Sequence, residues 1–315
     1  MSSKLQISAP FGATPLSPNQ FPQFKSNLLR FIANWLYAHG PPLASAVSSH
    51  PLVADYKPAD DLALITLVCI SDTHNSTPTH IPGGDILLHA GDLTNKGTFA
   101  ELQAQLDWIN TLPHPHKVVI GGNHDILLDE DFITNHPYRI DPGDIDRRDQ
   151  LNWGGITYLN GTSATFAVRD RNLVVFGSPL TPLCGTFAFQ YPPIRDVWKN
   201  RIPDGTDVVL THGPPRGHLD LGGKGCEWLL RELWRLRPRL VIFGHIHEGR
   251  GKEALAWDLM QRGYDFPTFP NVVIMALALV WNWVSKLFGR RRAAETWFVN
   301  AAMGGEKKLV TIVQV

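Results

Sequence analysis

Short apolar runs recur along the chain from Leu64 onward, and each breaks into glycine or polar residues at its carboxyl end. Leu64–Ser71, Asp85–Gly91 and Lys117–Gly121 read as strands, with an amphipathic helix at Thr98–Thr111 between the second and third. Ile156–Leu159, Thr165–Val168 and Leu173–Phe176 are closely spaced strands, the last two joined through Arg169–Asn172 as a hairpin. Asp207–Thr211, a helix over Cys226–Leu236, and Leu240–Phe243 then restore the alternation. Strands alternating with helices over this length predict a layered α/β domain.

Two stretches depart from that alternation. Residues 1–60 form a Pro- and Ser-rich extension around one amphipathic helix, Asn27–Tyr37, in which Leu28, Leu29, Phe31, Ile32, Trp35 and Leu36 recur at helical spacing before His39-Gly-Pro-Pro stops it. The helix lies far from the start and lacks a basic leader and a cleavage site, so secretion is not expected. Residues 61–315 read as the main domain, with a hydrophobic insertion at 250–295. Its apolar segment, Val272–Phe288, falls short of the about 20 residues that span a bilayer. With two tryptophans and Arg290–Arg292 after it, the segment fits an interfacial helix touching a membrane surface through 272–292. The alternative is a helical hairpin with Leu28–Leu36.

Composition narrows the picture. Twenty-nine basic residues balance 29 acidic ones, which argues against broad nucleic-acid binding by electrostatics. Cys69, Cys184 and Cys226 are scattered and lack CxxC spacing, as suits buried thiols in a reducing, intracellular and cytoplasmic setting.

The chemistry collects where strands end. Val118–Ile120 leads into Gly121-Gly122-Asn123-His124-Asp125; other strands lead into Asp72 and His74, Asp92, His212, and His245 with His247. One such end means little, but five bearing Asp, Asn or His converge on one edge of a sheet. Taken singly, Asp72 could cap a helix, His89 be a satisfied core histidine and His212 a turn residue. Asp, Asn and His without cysteine suit two divalent ions, manganese first, otherwise iron, zinc or magnesium. Asp72, His74, Asp92 and His247 could hold one, and Asp92, Asn123, His212 and His245 the other, with Asp92 shared; such a pair would activate a hydroxide against a phosphoryl group. His124 is then free to protonate the leaving oxygen or stabilise transition-state charge, and Asp125 to orient His124 or a ligating histidine. His218 and Asp220 are candidates for the substrate pocket.

In order, Asp72-Thr-His74, Gly91-Asp92, Gly121–Asp125, His212 and Gly244-His-Ile-His247 resemble the blocks of the calcineurin-like metallophosphoesterases. The wording His89–Thr94, Thr211–Pro215 and Phe243–Gly249 is similar, more narrowly, to the metallophosphoesterase-domain-containing branch. The resemblance covers Leu64–Gly249 and Trp297–Val313. It implies a four-layer α/β/β/α sandwich, a dinuclear centre and phosphodiesterase activity on small-molecule phosphoesters, sometimes cyclic nucleotides. Some members of the branch carry glycine in place of the first histidine of GHxH; His245 stands at that place here. Two other readings stay open: a membrane-apposed esterase of lipid or glycerol phosphodiesters, and a metal-binding scaffold with little turnover.

Overall fold

In the computed structural model, residues 21–39, 64–285, 295–303 and 310–315 are described; Arg290–Arg292 and most of the N-terminal extension lie outside them. In chain order the elements are α1 (Phe21–His39), β1 (Thr66–Ile70), β2 (Ile86–His89), α2 (Phe99–Thr111), β3 (His116–Val119), α3 (Glu130–Asn135) and α4 (Pro142–Asp146). There follow β4 (Ile156–Tyr158), β5 (Thr162–Val168), β6 (Arg171–Ser178), β7 (Thr181–Pro182), β8 (Gln190–Tyr191), β9 (Val208–Thr211), α5 (Glu227–Leu236) and β10 (Leu240–Phe243). The last are β11 (Gly251–Ala256), α6 (Leu259–Asp265), α7 (Phe269–Ser285), β12 (Glu295–Asn300) and β13 (Thr311–Gln314).

The larger unit is built on two sheets. One has the order β13-β1-β2-β3-β4, the other β11-β12-β10-β9-β6-β5. In the first, β1 to β4 run parallel, and in the second β6, β9, β10 and β12 do; β13, β5 and β11 join antiparallel. The alternation of side chains along a strand sorts each strand's residues between two layers. Leu67, Cys69, Ile86, Leu88 and Val118 share one buried cluster with Val175, Val208, Leu210, Ile242 and Val299 of the second sheet. Their neighbours Val68, Ile70, Leu87 and Val119 face the other way, into a cluster with Leu102, Leu106 and Ile109 of α2. Phe176, Val209, Val241, Phe243 and Phe298 of the second sheet are buried too, as are Leu229, Leu230 and Leu233 of α5. The expected mixed α/β sandwich is thus present. Burying each such side chain contributes about 1.5–3 kcal/mol, so the frame is stiff where its strands end.

Local signals account for the boundaries. Thr98 caps α2 by accepting from the Glu101 N–H at 3.3 Å, and the Glu101 carboxylate accepts from the Thr98 N–H in return. The hairpin is tighter than expected: Val168 pairs with Arg171 across a two-residue turn whose first residue, Arg169, has φ 55°. The insertion is also shorter. Gly251–Ala256 within it is β11, an edge strand paired along β12 from Gly251–Asn300 to Ala256–Glu295.

The smaller unit contains α1, α6 and α7. Ala33, Met260, Val272 and Met275 form its buried centre, with Leu29, Ile32, Leu36, Ala278 and Leu279 packed against them. Tyr37 donates its hydroxyl to Gln261 Oε1 at 2.8 Å and lays its ring 4.5 Å from that of Tyr264. The packing of 272–288 on 28–36, the alternative to an interfacial helix, forms over the described part of both segments. Each helix keeps an exposed apolar stripe as well: Leu28, Phe31 and Trp35 on α1, and Phe269, Val273 and Leu277 on α7. Among the described residues no helix is long and apolar enough to cross a membrane.

Candidate metal centre

Parallel neighbours end together. Since β1, β2 and β3 are adjacent, Asp72, His74, Asp92, Asn123 and His124 all lie just past one sheet edge; β9 and β10 bring His212, His245 and His247 past the other. The two edges meet at Asp72, whose Oδ2 accepts from the His245 N–H at 3.0 Å. Glycines allow the approach: a Cβ on Gly122 would collide with Asp92, and one on Gly244 with Ser71 and Asp72. The backbone turns hard here, with φ of 55° at Asp72, 44° at His74, 53° at Asp92 and 66° at His245. Left-handed backbone in a residue with a Cβ costs roughly 1–3 kcal/mol, tolerated where the surrounding structure holds it.

The donor atoms fall into two groups, Asp72, His74 and His247, and Asp92, His212 and His245, in each of which the atoms lie within 4.8 Å of one another. Hydrogen bonding sets the ring orientations. His74 Nδ1 lies 3.1 Å from the Thr94 carbonyl, and His212 Nδ1 lies 2.8 Å from the Ala90 carbonyl. A carbonyl only accepts, so in each ring Nδ1 carries a proton, which leaves the inward-facing Nε2 as the atom that a metal ion would take. His74 Nε2 then faces His247 Nε2 at 3.4 Å and Asp92 Oδ2 at 3.8 Å. His212 Nε2 faces Asp92 Oδ2 at 3.4 Å, and its 3.0 Å neighbour Asn123 is turned with Oδ1 toward it. Ring nitrogens and carboxylate oxygens thus converge, an arrangement that a divalent cation satisfies. The residues present fit two such ions.

The electrostatics agree. Burial pulls His212 down, but the carboxylates of Asp92 and Asp72 outweigh it and raise its pKa to about 9, so these carboxylates draw positive charge to its Nε2, as a proton or as a metal ion. Burial raises Asp92, yet His212 and the His124 N–H at 2.8 Å hold it well below the usual carboxylate range. His245 is lowered to about 4, first by burial and then by the neighbouring His212. His89 is a satisfied core residue: Nδ1 accepts from the Gly91 N–H and Nε2 donates to Thr73 Oγ1 at 3.0 Å, and burial lowers it to about 4.

Around the centre some expected roles change. Asp125 accepts from the Leu93, Thr94 and Gly122 N–H groups and from the Thr94 hydroxyl, tying the loops after β2 and β3 together. It does not orient His124; the Asn95 carbonyl does, 2.8 Å from His124 Nδ1. The His124 ring stands edge-on to His74 at 5.0 Å and beside Phe187 at 5.1 Å. His218 and Asp220 are buried beneath their loop rather than lining a pocket. His218 Nδ1 bonds Glu253 at 2.8 Å, and the Asp220 carboxylate gathers the N–H groups of Gly217, Gly222, Gly223 and Gly225. Asn95, Phe187 and the carbonyls of Ala90 and Thr94 were not expected, because a carbonyl leaves no mark in sequence.

Comparison with known proteins reaches the same place. The family model described as calcineurin-like phosphoesterase matches residues 65–249. A probable rhamnogalacturonate lyase C of Emericella nidulans is 42% identical over 259 residues, 78% of this chain and 23% of that protein. Metallophosphoesterase domain-containing protein 1 of Homo sapiens is 36% identical over 204 residues, 58% of this chain and 61% of the human one. A UPF0046 protein of Caenorhabditis elegans, K07C11.7, is 36% identical over 202 residues, 62% of this chain and 67% of its own length. The match thus takes in less than a quarter of the fungal relative and about three fifths of the human one, so what those names say of the whole proteins stays with them. The matched span runs from β1 through the His245–His247 turn and so contains every strand end that meets at the centre. The chain is therefore a member of the calcineurin-like phosphoesterase family, hydrolases of phosphoester bonds that use divalent metals, in the branch of the metallophosphoesterase-domain-containing proteins.

Proposed function

We propose that the chain hydrolyses phosphodiesters of small molecules, cyclic nucleotides among them, using two divalent ions. One observation carries the reading: the Nε2 atoms of His74 and His212 are aimed by backbone carbonyls at the shared carboxylate of Asp92. Asp72, His74, His247 and Asp92 would hold one ion, and Asp92, Asn123, His212 and His245 the other. Ions held there supply Lewis acidity and lower the pKa of water. The chain's own groups do the rest. Thr94 and Ala90 fix the ligand rings, Asn95 holds the His124 Nδ1–H, and His124, as the imidazolium, would give its Nε2 proton to the departing alcohol oxygen and be left neutral. The diester reading draws on a cleft of about 650 Å³, with room for a second alcohol, that opens beside His245 of the second donor group, whereas His124 stands against His74 of the first.

A substrate panel after chelation tests this. Activity should vanish with the metal and return on adding it back, most with manganese, and diesters should be cleaved faster than monoesters. Activity that survives exhaustive chelation, or monoesters preferred throughout, refutes the proposal.

A second reading rests on the smaller unit. The exposed stripes on α1 and α7, followed in sequence by Arg290–Arg292, suit an anionic lipid surface, and the substrate would then be a lipid or glycerol phosphodiester. The protein should float with anionic vesicles, and Phe31→Asp with Leu277→Asp should abolish flotation while metal content is kept. Wild-type protein that stays at the bottom of the gradient removes this reading.

A further inference from the structure

The cleft beside His245 has walls that hydrolysis does not use. Its lining includes Leu183 after β7, Ile194 after β8 and Trp228 in the first turn of α5. Leu183 and Ile194 are large apolar side chains left 56% and 87% exposed, at an entrance rather than on a scattered surface. Trp228 is already fixed, because its indole N–H donates to the Pro193 carbonyl at 3.1 Å, which ties α5 to the loop that carries Ile194. Beneath them the Asp220 carboxylate holds the glycine loop 222–225 in shape, so the cleft is formed before anything enters it. A preformed slot that carries large apolar side chains and a fixed ring, with Arg216, Lys224 and Glu227 also in its lining, suits a flat aromatic group.

Position then decides which end of a diester enters. The His124 ring stands against His74 of the first donor group, whereas the cleft begins at His245 of the second. The alcohol that departs must lie within reach of His124. The alcohol that stays on phosphorus therefore points to the other end.

We infer that Leu183, Ile194 and Trp228 form a specificity site for an aryl or heteroaryl alcohol that is retained on phosphorus, so that water and the diester give the aryl phosphomonoester and the free second alcohol. This rests on the phosphodiesterase reading, but binding can be measured without turnover. On metal-loaded protein, phenyl phosphate, the product that keeps its aryl group, is compared with methyl phosphate by titration calorimetry. Phenyl phosphate should bind about tenfold tighter or better, the size expected for burying one ring. Trp228→Ala should remove most of that ratio, and Ile194→Ser, at an exposed position that the fold does not need, should reduce it. In turnover, the aryl-to-methyl ratio of kcat/KM should fall in the same variants when bis(p-nitrophenyl) phosphate is compared with methyl p-nitrophenyl phosphate, mainly through KM. Equal binding of the two monoesters, or a ratio that neither variant moves, overturns the inference. If neither diester is cleaved while the binding ratio holds, the phosphodiesterase reading fails and the aryl site stands.

Discussion

Asp92→Ala is expected to take the metal content from about two ions per chain to below one, and to lower turnover by roughly 10³-fold or more, given the several kcal/mol of charge stabilisation that bound ions supply. No other candidate ligand should cost as much metal. Asp92 Oδ2 lies 3.8 Å from His74 Nε2 and 3.4 Å from His212 Nε2, which belong to different donor groups. Its Oδ1 also accepts from the His124 N–H at 2.8 Å, so the truncation loosens the turn after β3 as well. Asp92→Asn separates the two effects, since the amide keeps an oxygen for that N–H but loses the charge. Elemental analysis of both variants, alongside His247→Ala as a change in one group only, gives the ranking. An unchanged count in Asp92→Ala, or an equal loss in His247→Ala, contradicts the shared role.

The second large effect belongs to a residue that should leave the metal alone. His124→Ala is expected to keep both ions and slow turnover by about 10²–10⁴-fold, the usual contribution of a general acid. With its Nδ1 committed to the Asn95 carbonyl, the other nitrogen is the one that can serve a leaving oxygen. A p-nitrophenolate needs little help to depart and an alkoxide needs much, so the loss should be severe for alkyl leaving groups and mild for p-nitrophenyl ones. A uniform loss over both would point to ground-state binding, and loss of metal would make His124 a ligand.

Much of this architecture is legible in sequence because the relevant forces are local. The runs before Asp72, Asp92, Asn123, His212 and His245 are short, apolar and ended by glycine or polar residues, and those are the strands whose ends meet. What escapes is whatever depends on a partner far along the chain. The strand Gly251–Ala256 reads as insertion because Lys252 and Glu253 dilute its apolar alternation, and only pairing with β12 makes it a strand. Asp125 and Asp220 look like chemistry in glycine-rich turns, yet both are spent on backbone N–H groups, an outcome that the residue type alone does not distinguish from a catalytic one. The cleft is built from loops after β7, β8 and β9, and nothing in their composition sets their spacing.

The left-handed backbone at residue 245 bears on how such a centre is lost over generations. Glycine is at ease at φ 66° and histidine is not, so relaxing selection on metal binding leaves a mutational slope that runs toward glycine at that position, with folding stability gained along it. The histidine at 245 thus stands against the preference of its own backbone, as expected where a side chain is kept for what it holds.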